Sequence, residues 1–103
     1  MQHLEPYYAV IFTSTLEEED MADYQEMSIR MEELAKQQDG YLGFESARSN
    51  LGLSVSYWKT LKDIQRWKHQ SEHLLAQQKG KQKWYKTYSV RICKVEREYH
   101  FGD

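Results

Sequence analysis

Apolar and polar positions along this chain follow two rhythms, one of period two and one of helical period, and together they mark out the elements. Tyr7-Tyr8-Ala9-Val10-Ile11-Phe12-Thr13-Ser14 is aromatic and β-branched without a breaker, which predicts a strand. Residues of both parities are apolar in it, and a strand of that kind is covered on both faces. Asp20 can cap a following helix, with the acidic run Glu17-Glu18-Glu19 at the positive end of its dipole. Met21, Tyr24, Met27, Met31 and Leu34 recur at helical spacing and form one apolar stripe. Gln37-Gln38-Asp39-Gly40 ends it, with the glycine in the usual stop position.

Tyr41 to Ser49 predicts a second strand, Asn50-Leu51-Gly52 a turn, and Leu53 to Lys59 a third strand, so the pair reads as a hairpin. Thr60-Leu61-Lys62-Asp63 opens a second helix with a pair that resembles a capping box, and Leu61, Ile64 and Trp67 form its apolar stripe. Ser71 is positioned to cap a short further helix carrying Leu74 and Leu75 and stopped by Gly80. Trp84 to Phe101 predicts a last strand. It is far longer than the usual five or six residues or so, which takes part of it past its own sheet. The order β-α-β-β-α-β predicts an α+β, ferredoxin-like fold, an antiparallel sheet with helices on one face. A second copy on the open face would cover the doubly apolar first strand and pair with the overlong last one. The expectation is a two-fold homodimer whose sheets close into a barrel-like core.

Length and charge narrow the function classes. The 103 residues predict a single domain, 1–103, with a modest core. A net charge of -2 offers no general attraction to nucleic acid or anionic lipid. Charged residues at 29% beside aromatics at 14% argue for a folded chain. Cys93 is the only cysteine, so no intramolecular disulfide forms. No apolar run reaches membrane-span length, and Met1-Gln2-His3-Leu4-Glu5-Pro6 lacks the regions of a signal peptide, so the expectation is a cytoplasmic protein without a membrane partner. Phosphate loops and nucleophile elbows are absent from the sequence. The βαββαβ order also occurs in RNA-binding domains, but Leu53-Ser54-Val55-Ser56-Tyr57-Trp58 lacks their basic-aromatic pattern, and no nucleic-acid partner is expected.

Candidate chemistry gathers between Ser56 and His73. Large rings beside an imidazole suit a pocket for a flat apolar ligand with proton transfer, and equally an ordinary core with surface histidines. Trp67, on an apolar stripe, is either a core anchor or a pocket wall. Trp58 shares its strand parity with Ser54 and Ser56, and a small-small-large face leaves space beside the ring, with the Ser56 hydroxyl inside it. His73 follows the expected cap at Ser71, and an imidazole near a helix N-terminus is pushed towards its neutral form, which suits a base or a ligand. His69 lies four residues earlier, at metal-ligand spacing, but nothing beyond Glu72 offers a third ligand and no metal site is expected. Arg48 and Arg91 sit on strands short of charge, where an inward arginine binds a carboxylate or phenolate and an outward one pairs with an acid such as Glu45. Tyr57 and Tyr85 offer pocket hydroxyls. Cys93 reads as a small hydrophobe, and Lys79, Lys81, Lys83 and Lys86 as a solvated face.

Several short runs carry a family resemblance: Tyr41-Leu42-Gly43, Ser56-Tyr57-Trp58, Ile64-Gln65-Arg66-Trp67, His73, Gly80, Trp84-Tyr85 and Val95-Glu96-Arg97-Glu98-Tyr99-His100-Phe101. As a set they resemble the antibiotic biosynthesis monooxygenase superfamily, the dimeric α/β-barrel proteins. The resemblance implies a ligand site between sheet and helices for polycyclic, quinol-like or haem ligands. Some members oxygenate such ligands without metal or flavin; others degrade haem. The haem-degrading branch uses a first-strand asparagine, a second-helix tryptophan and an iron-ligating histidine roughly three turns further on. Trp67 matches the tryptophan. The first strand has no asparagine, and the histidine's position falls near Gln77, with His73 one turn earlier. The resulting expectation is a small monooxygenase acting on an aromatic or quinol-like substrate. His73 and Trp67 would be catalytic, and Ser56, Tyr57, Trp58, Tyr85 and Arg91 would hold the substrate, with no cofactor or, alternatively, haem. The other readings are a haem-binding or haem-degrading protein and a non-enzymatic dimer that binds a small apolar ligand.

Overall fold

The computed structural model describes residues 5–16, 21–79 and 85–102, with side chains for 5–15, 25–72 and 86–102. The elements are β1 (Tyr7–Leu16), α1 (Met21–Lys36), β2 (Tyr41–Arg48), β3 (Gly52–Trp58), α2 (Leu61–Lys79) and β4 (Tyr85–Val95). The four strands form one antiparallel sheet in the order β2-β3-β1-β4, which is the ferredoxin-like α+β arrangement.

Register decides which side chains share a face. Tyr8 lies opposite Trp58, Val10 opposite Ser56 and Ile92, Phe12 opposite Ser54 and Val90, and Ser14 opposite Gly52 and Tyr88. Directly opposite residues point the same way. One face therefore carries Tyr8, Val10, Phe12 and Ser14 with Ser54, Ser56 and Trp58 and with Tyr88, Val90 and Ile92. The other carries Tyr7, Ala9, Ile11 and Thr13 with Leu53, Val55 and Tyr57 and with Ser89, Arg91 and Cys93. The helices lie on the first face. Ala35 of α1 and Ile64 of α2 close over Trp58, and Tyr8, Val10, Tyr41 and Trp67 pack round them.

Local chemistry fixes the joint between α1, β2 and α2. Gly40 has φ 83°, left-handed backbone that stops α1. Its hydrogen side faces the Asp63 carboxylate so closely that a Cβ would overlap it. The Thr60 hydroxyl accepts the Asp63 N–H at 3.0 Å and donates to Asp63 Oδ2 at 2.8 Å, which caps α2. Arg66 donates to Asp63 Oδ1 at 2.5 Å. Burial alone would raise the Asp63 pKa, but the bonds from Thr60 and Arg66 outweigh it and hold the carboxyl below its ordinary 3.8.

Three local expectations change. α2 runs unbroken through Ser71, whose hydroxyl donates to the Lys68 carbonyl at 3.0 Å inside the helix instead of capping a new one. Leu61 is 52% exposed, because Asp63, two residues on and roughly 200° round the helix, is the side chain turned to Gly40. β4 ends at Val95, since its partner β1 begins at Tyr7, and 96–102 leave the sheet with Tyr99 and Phe101 exposed. Asp20, Gly80 and Trp84 lie outside the described residues.

Candidate functional site

Of the residues expected to form a pocket, Ser56, Trp58 and Trp67 come together. Trp58 is fully buried, and its Nε1–H donates to Ser56 Oγ at 2.8 Å. The Trp67 ring stacks on it at 5.8 Å and 22°, and Tyr41 meets it edge-on at 5.9 Å and 83°. The Ser56 hydroxyl is thus engaged by the indole, and the space beside Trp58 holds Trp67. Trp67 is only half-buried and stands at the margin of this cluster.

Beyond that margin the sheet lies open. α1 packs chiefly on β2 and α2 on β3, so the helices cover one half of the sheet. On the other half Tyr88, Val90 and Ile92 of β4 are 63%, 50% and 51% exposed on the helix side. Phe12 stacks on Tyr88 at 5.5 Å and 26°. The apolar strip starts where the core stops, because Val10 packs on the core and lies opposite Ile92. Sequence reasoning missed these residues, although Tyr88, Val90 and Ile92 alternating with Ser89, Arg91 and Cys93 is a period-two signal for one apolar face. At one end of the strip Ser14 is buried and accepts a hydrogen bond from Arg48 Nη2. The Arg48 guanidinium lies directly over Gly52, in the space that a Cβ there would take. At the other end, Tyr8, Lys59, Leu61 and Lys94 help to line an open depression of about 300 Å³.

Tyr57 and Arg91, expected in the same pocket, lie on the opposite face because they have the other strand parity. Tyr57 donates to Glu45 Oε1 at 2.9 Å and meets the Tyr7 ring at 6.1 Å and 65°. Tyr7 donates to Glu98 Oε1 at 2.6 Å, and His100 Nε2 is 2.5 Å from Glu98 Oε2. The bond to Glu98, with some desolvation and the carboxylate charge, pushes the Tyr7 phenol up to about 12. Desolvation, then the bond to Glu45, raises Tyr57 as well. Arg91 is exposed and donates to Ser89 Oγ at 3.1 Å. Cys93 is exposed on this face too.

The unbroken α2 changes the setting of His73. It falls in the second half of α2, well past the first turn. Its side chain, like that of Tyr85, lies outside those described; the Tyr85 backbone pairs with Leu16. Among the described side chains no group of three or more His, Cys, Asp or Glu is arranged to hold a metal ion, and no described helix is long and apolar enough to cross a membrane.

No family model matches the sequence. The uncharacterised protein YqjZ of Bacillus subtilis strain 168 is 46% identical over 100 residues, a match that spans 95% of this chain and 87% of that protein. Solved structures with the same fold include a candidate antibiotic biosynthesis monooxygenase from Nitrosomonas europaea (TM-score 0.71, 14% identity, 91% of this chain and 95% of that one). Another is the haem-degrader MhuD of Mycobacterium tuberculosis with two haems in its active site (0.70, 12%, 90% and 99%). A third is a mutant form of SnoaB, a cofactor-independent oxygenase from Streptomyces nogalater (0.70, 11%, 89% and 95%).

Proposed function

The chain belongs to one family with Bacillus subtilis YqjZ and carries the fold of the antibiotic biosynthesis monooxygenase superfamily; from that premise we propose that it is a small oxygenase for an aromatic or quinol-like substrate bound on the helix side of the sheet. The observation that carries this reading is the exposure of Tyr88, Val90 and Ile92 of β4 on the helix side of the sheet, next to Val10, which packs against the core and lies opposite Ile92. A flat ring system laid on that strip removes apolar area from water at both surfaces.

Such a substrate supplies its own electrons. A CH₂ flanked by aryl rings loses one proton to a base, and the resulting carbanion passes electrons to O₂. The peroxide formed at that carbon collapses to a carbonyl, so that one oxygen stays and the other leaves as water with the two lost hydrogens. The protein's share is to orient the rings, exclude water and accept the proton. His73 is the proposed base, with Trp67 as the wall that shields the reacting carbon.

Haem is the second reading, supported by the likeness to MhuD and by Trp67 on the second helix. The described side chains do not fit an axial ligand on the strip. His69 is exposed on the outer stripe of α2, His100 pairs with Glu98, and Cys93 faces the other side of the sheet. No step is therefore routed through haem.

Oxygen uptake with a panel of anthrones and hydroquinones tests the first reading. Wild type is expected to exceed the protein-free rate, Val90→Trp to block the strip and abolish the excess, and His73→Ala to slow it at least tenfold. No uptake above the blank with any substrate rejects it. Stoichiometric haemin that gives no Soret shift rejects the second.

The same chain also forms, in this proposal, a homodimer through the helix-free face, where Leu53 is 43% exposed beside Ile11 and Val55.

A further inference from the structure

We propose that residues 96–102 form an exchange arm. In the dimer the arm lies along the outer edge of β4 of the second copy as an added strand, and its Tyr99 and Phe101 stand beside Val90 and Ile92 of that copy. The inference rests on the homodimer proposed above and names the element that joins its halves. The arm is tied down at its base and bare beyond it. Tyr7, on the helix-free face and opposite Val95, donates to Glu98 Oε1 at 2.6 Å. Further along, His100 Nε2 is 2.5 Å from Glu98 Oε2, and Arg97 Nη1 donates to the Tyr99 hydroxyl at 3.4 Å. Contacts between residues two apart fit an extended backbone, whose side chains alternate between two sides. Glu98 and His100 take the side of Tyr7, so Tyr99 and Phe101 take the helix side. There they are 82% and 104% exposed.

The receiving surface is the edge of the sheet. β4 is last in the strand order, and among the described strands it pairs with β1 alone. Its outer edge therefore offers backbone N–H and C=O groups to an extended segment. Val90 and Ile92 stand half exposed on the helix side of that edge. An aromatic ring next to a β-branched side chain on a neighbouring strand is a favourable pair. At about 3.3 Å per residue the arm spans roughly 23 Å, more than the roughly 17 Å from Val90 to Val95. Area points to the same occupant. The chain exposes 7926 Å² at a mass of 12.4 kDa. A monomer of that mass exposes about 6,100 Å², and the excess of roughly 1,800 Å² surpasses the roughly 800 Å² that each partner buries in a standard interface. Two arms exchanged about a two-fold axis use the same surface on both copies, as a closed dimer requires. The exchange also sets two rings of one copy beside the ligand strip of the other.

Photo-crosslinking of the whole chain tests the contact directly. With p-benzoylphenylalanine in place of Tyr99, irradiation should give a covalent dimer whose joined peptides contain position 99 of one chain and residues 88–94 of the other. A covalent dimer joined elsewhere, or products joined only within one chain, overturns the arm. Light scattering and sedimentation supply the second measurement. The double variant Tyr99→Ser, Phe101→Ser should weaken the dimer at least a hundredfold, whereas Ile29→Ser, an exposed apolar residue of α1, should leave it within threefold. A double variant that keeps wild-type dimer affinity overturns the arm and leaves the dimer standing. A monomeric wild type removes the dimer itself. Should the double variant lose its fold by circular dichroism, the crosslink decides, because that protein keeps Phe101 and an aromatic ring at position 99.

Discussion

Ser56→Ala removes the acceptor of a fully buried indole N–H and should therefore act on stability, not on ligand binding. Trp58 is 0% exposed and Ser56 5%, so no water replaces the lost hydroxyl at 2.8 Å. A buried donor left unsatisfied costs about 1–3 kcal/mol. For a domain near 100 residues each kcal/mol lowers the melting temperature by roughly 4–8 °C, so a fall on the order of 5–20 °C is expected. Trp58→Phe removes the donor at the expense of ring volume, and on that background Ser56→Ala should add little. The coupling from the double-mutant cycle should therefore lie near 1–3 kcal/mol. Urea unfolding followed by circular dichroism supplies the four free energies, and titration with an apolar fluorescent dye, read by its emission, supplies the ligand affinities in parallel. A serine that serves the ligand would give the reverse pattern, with an unchanged unfolding midpoint and weaker binding. Ser56→Ala melting within a degree of wild type, or a coupling of zero, refutes the structural role.

Gly40→Ala should cost more than about 2 kcal/mol, from roughly 1–2 kcal/mol of left-handed strain plus overlap with the Asp63 carboxylate. Gly102→Ala, also at positive φ but with nothing near its Cβ, is the control, and equal urea midpoints for the two would refute the account. Tyr7, raised to about 12 by donating to Glu98, favours the fold in its protonated form. Its contribution is fully present below the ordinary phenol value of 10 and is lost as pH rises through about 12. Wild type should lose more stability than Tyr7→Phe between pH 9 and pH 11 (about the range urea melts reach), and parallel curves would contradict this. Light scattering should give about twice the 12.4 kDa chain mass at micromolar concentration, and Val55→Glu on the helix-free face should halve it; a sharply monomeric wild type removes the dimer.

Most of the fold was legible because its signals are local. Gly40 stops a helix by backbone geometry, Thr60 and Asp63 start one by mutual hydrogen bonds, and the strand rhythms need no tertiary context. Ser71 shows where local chemistry runs out. The same hydroxyl can cap a new helix or bond back to the Lys68 carbonyl, and only the packed chain selects the second. The site was less legible for a geometric reason. Ser56, Tyr57 and Trp58 are neighbours in sequence, yet a strand sends Tyr57 to one face and its neighbours to the other. Because β1 is apolar on both faces, periodicity could not say which parity meets the helices. Nor could it say that two helices centred over β2 and β3 would leave β4 bare. The conspicuous rings of Trp58 and Trp67 stack on each other and build the core from which the strip extends. In the proposed reading, the surface left for a ligand comes from residues that draw no notice alone, Val90 and Ile92 of β4. In that reading, specificity is to be sought at the boundary where helix cover ends, along the exposed side chains of β4.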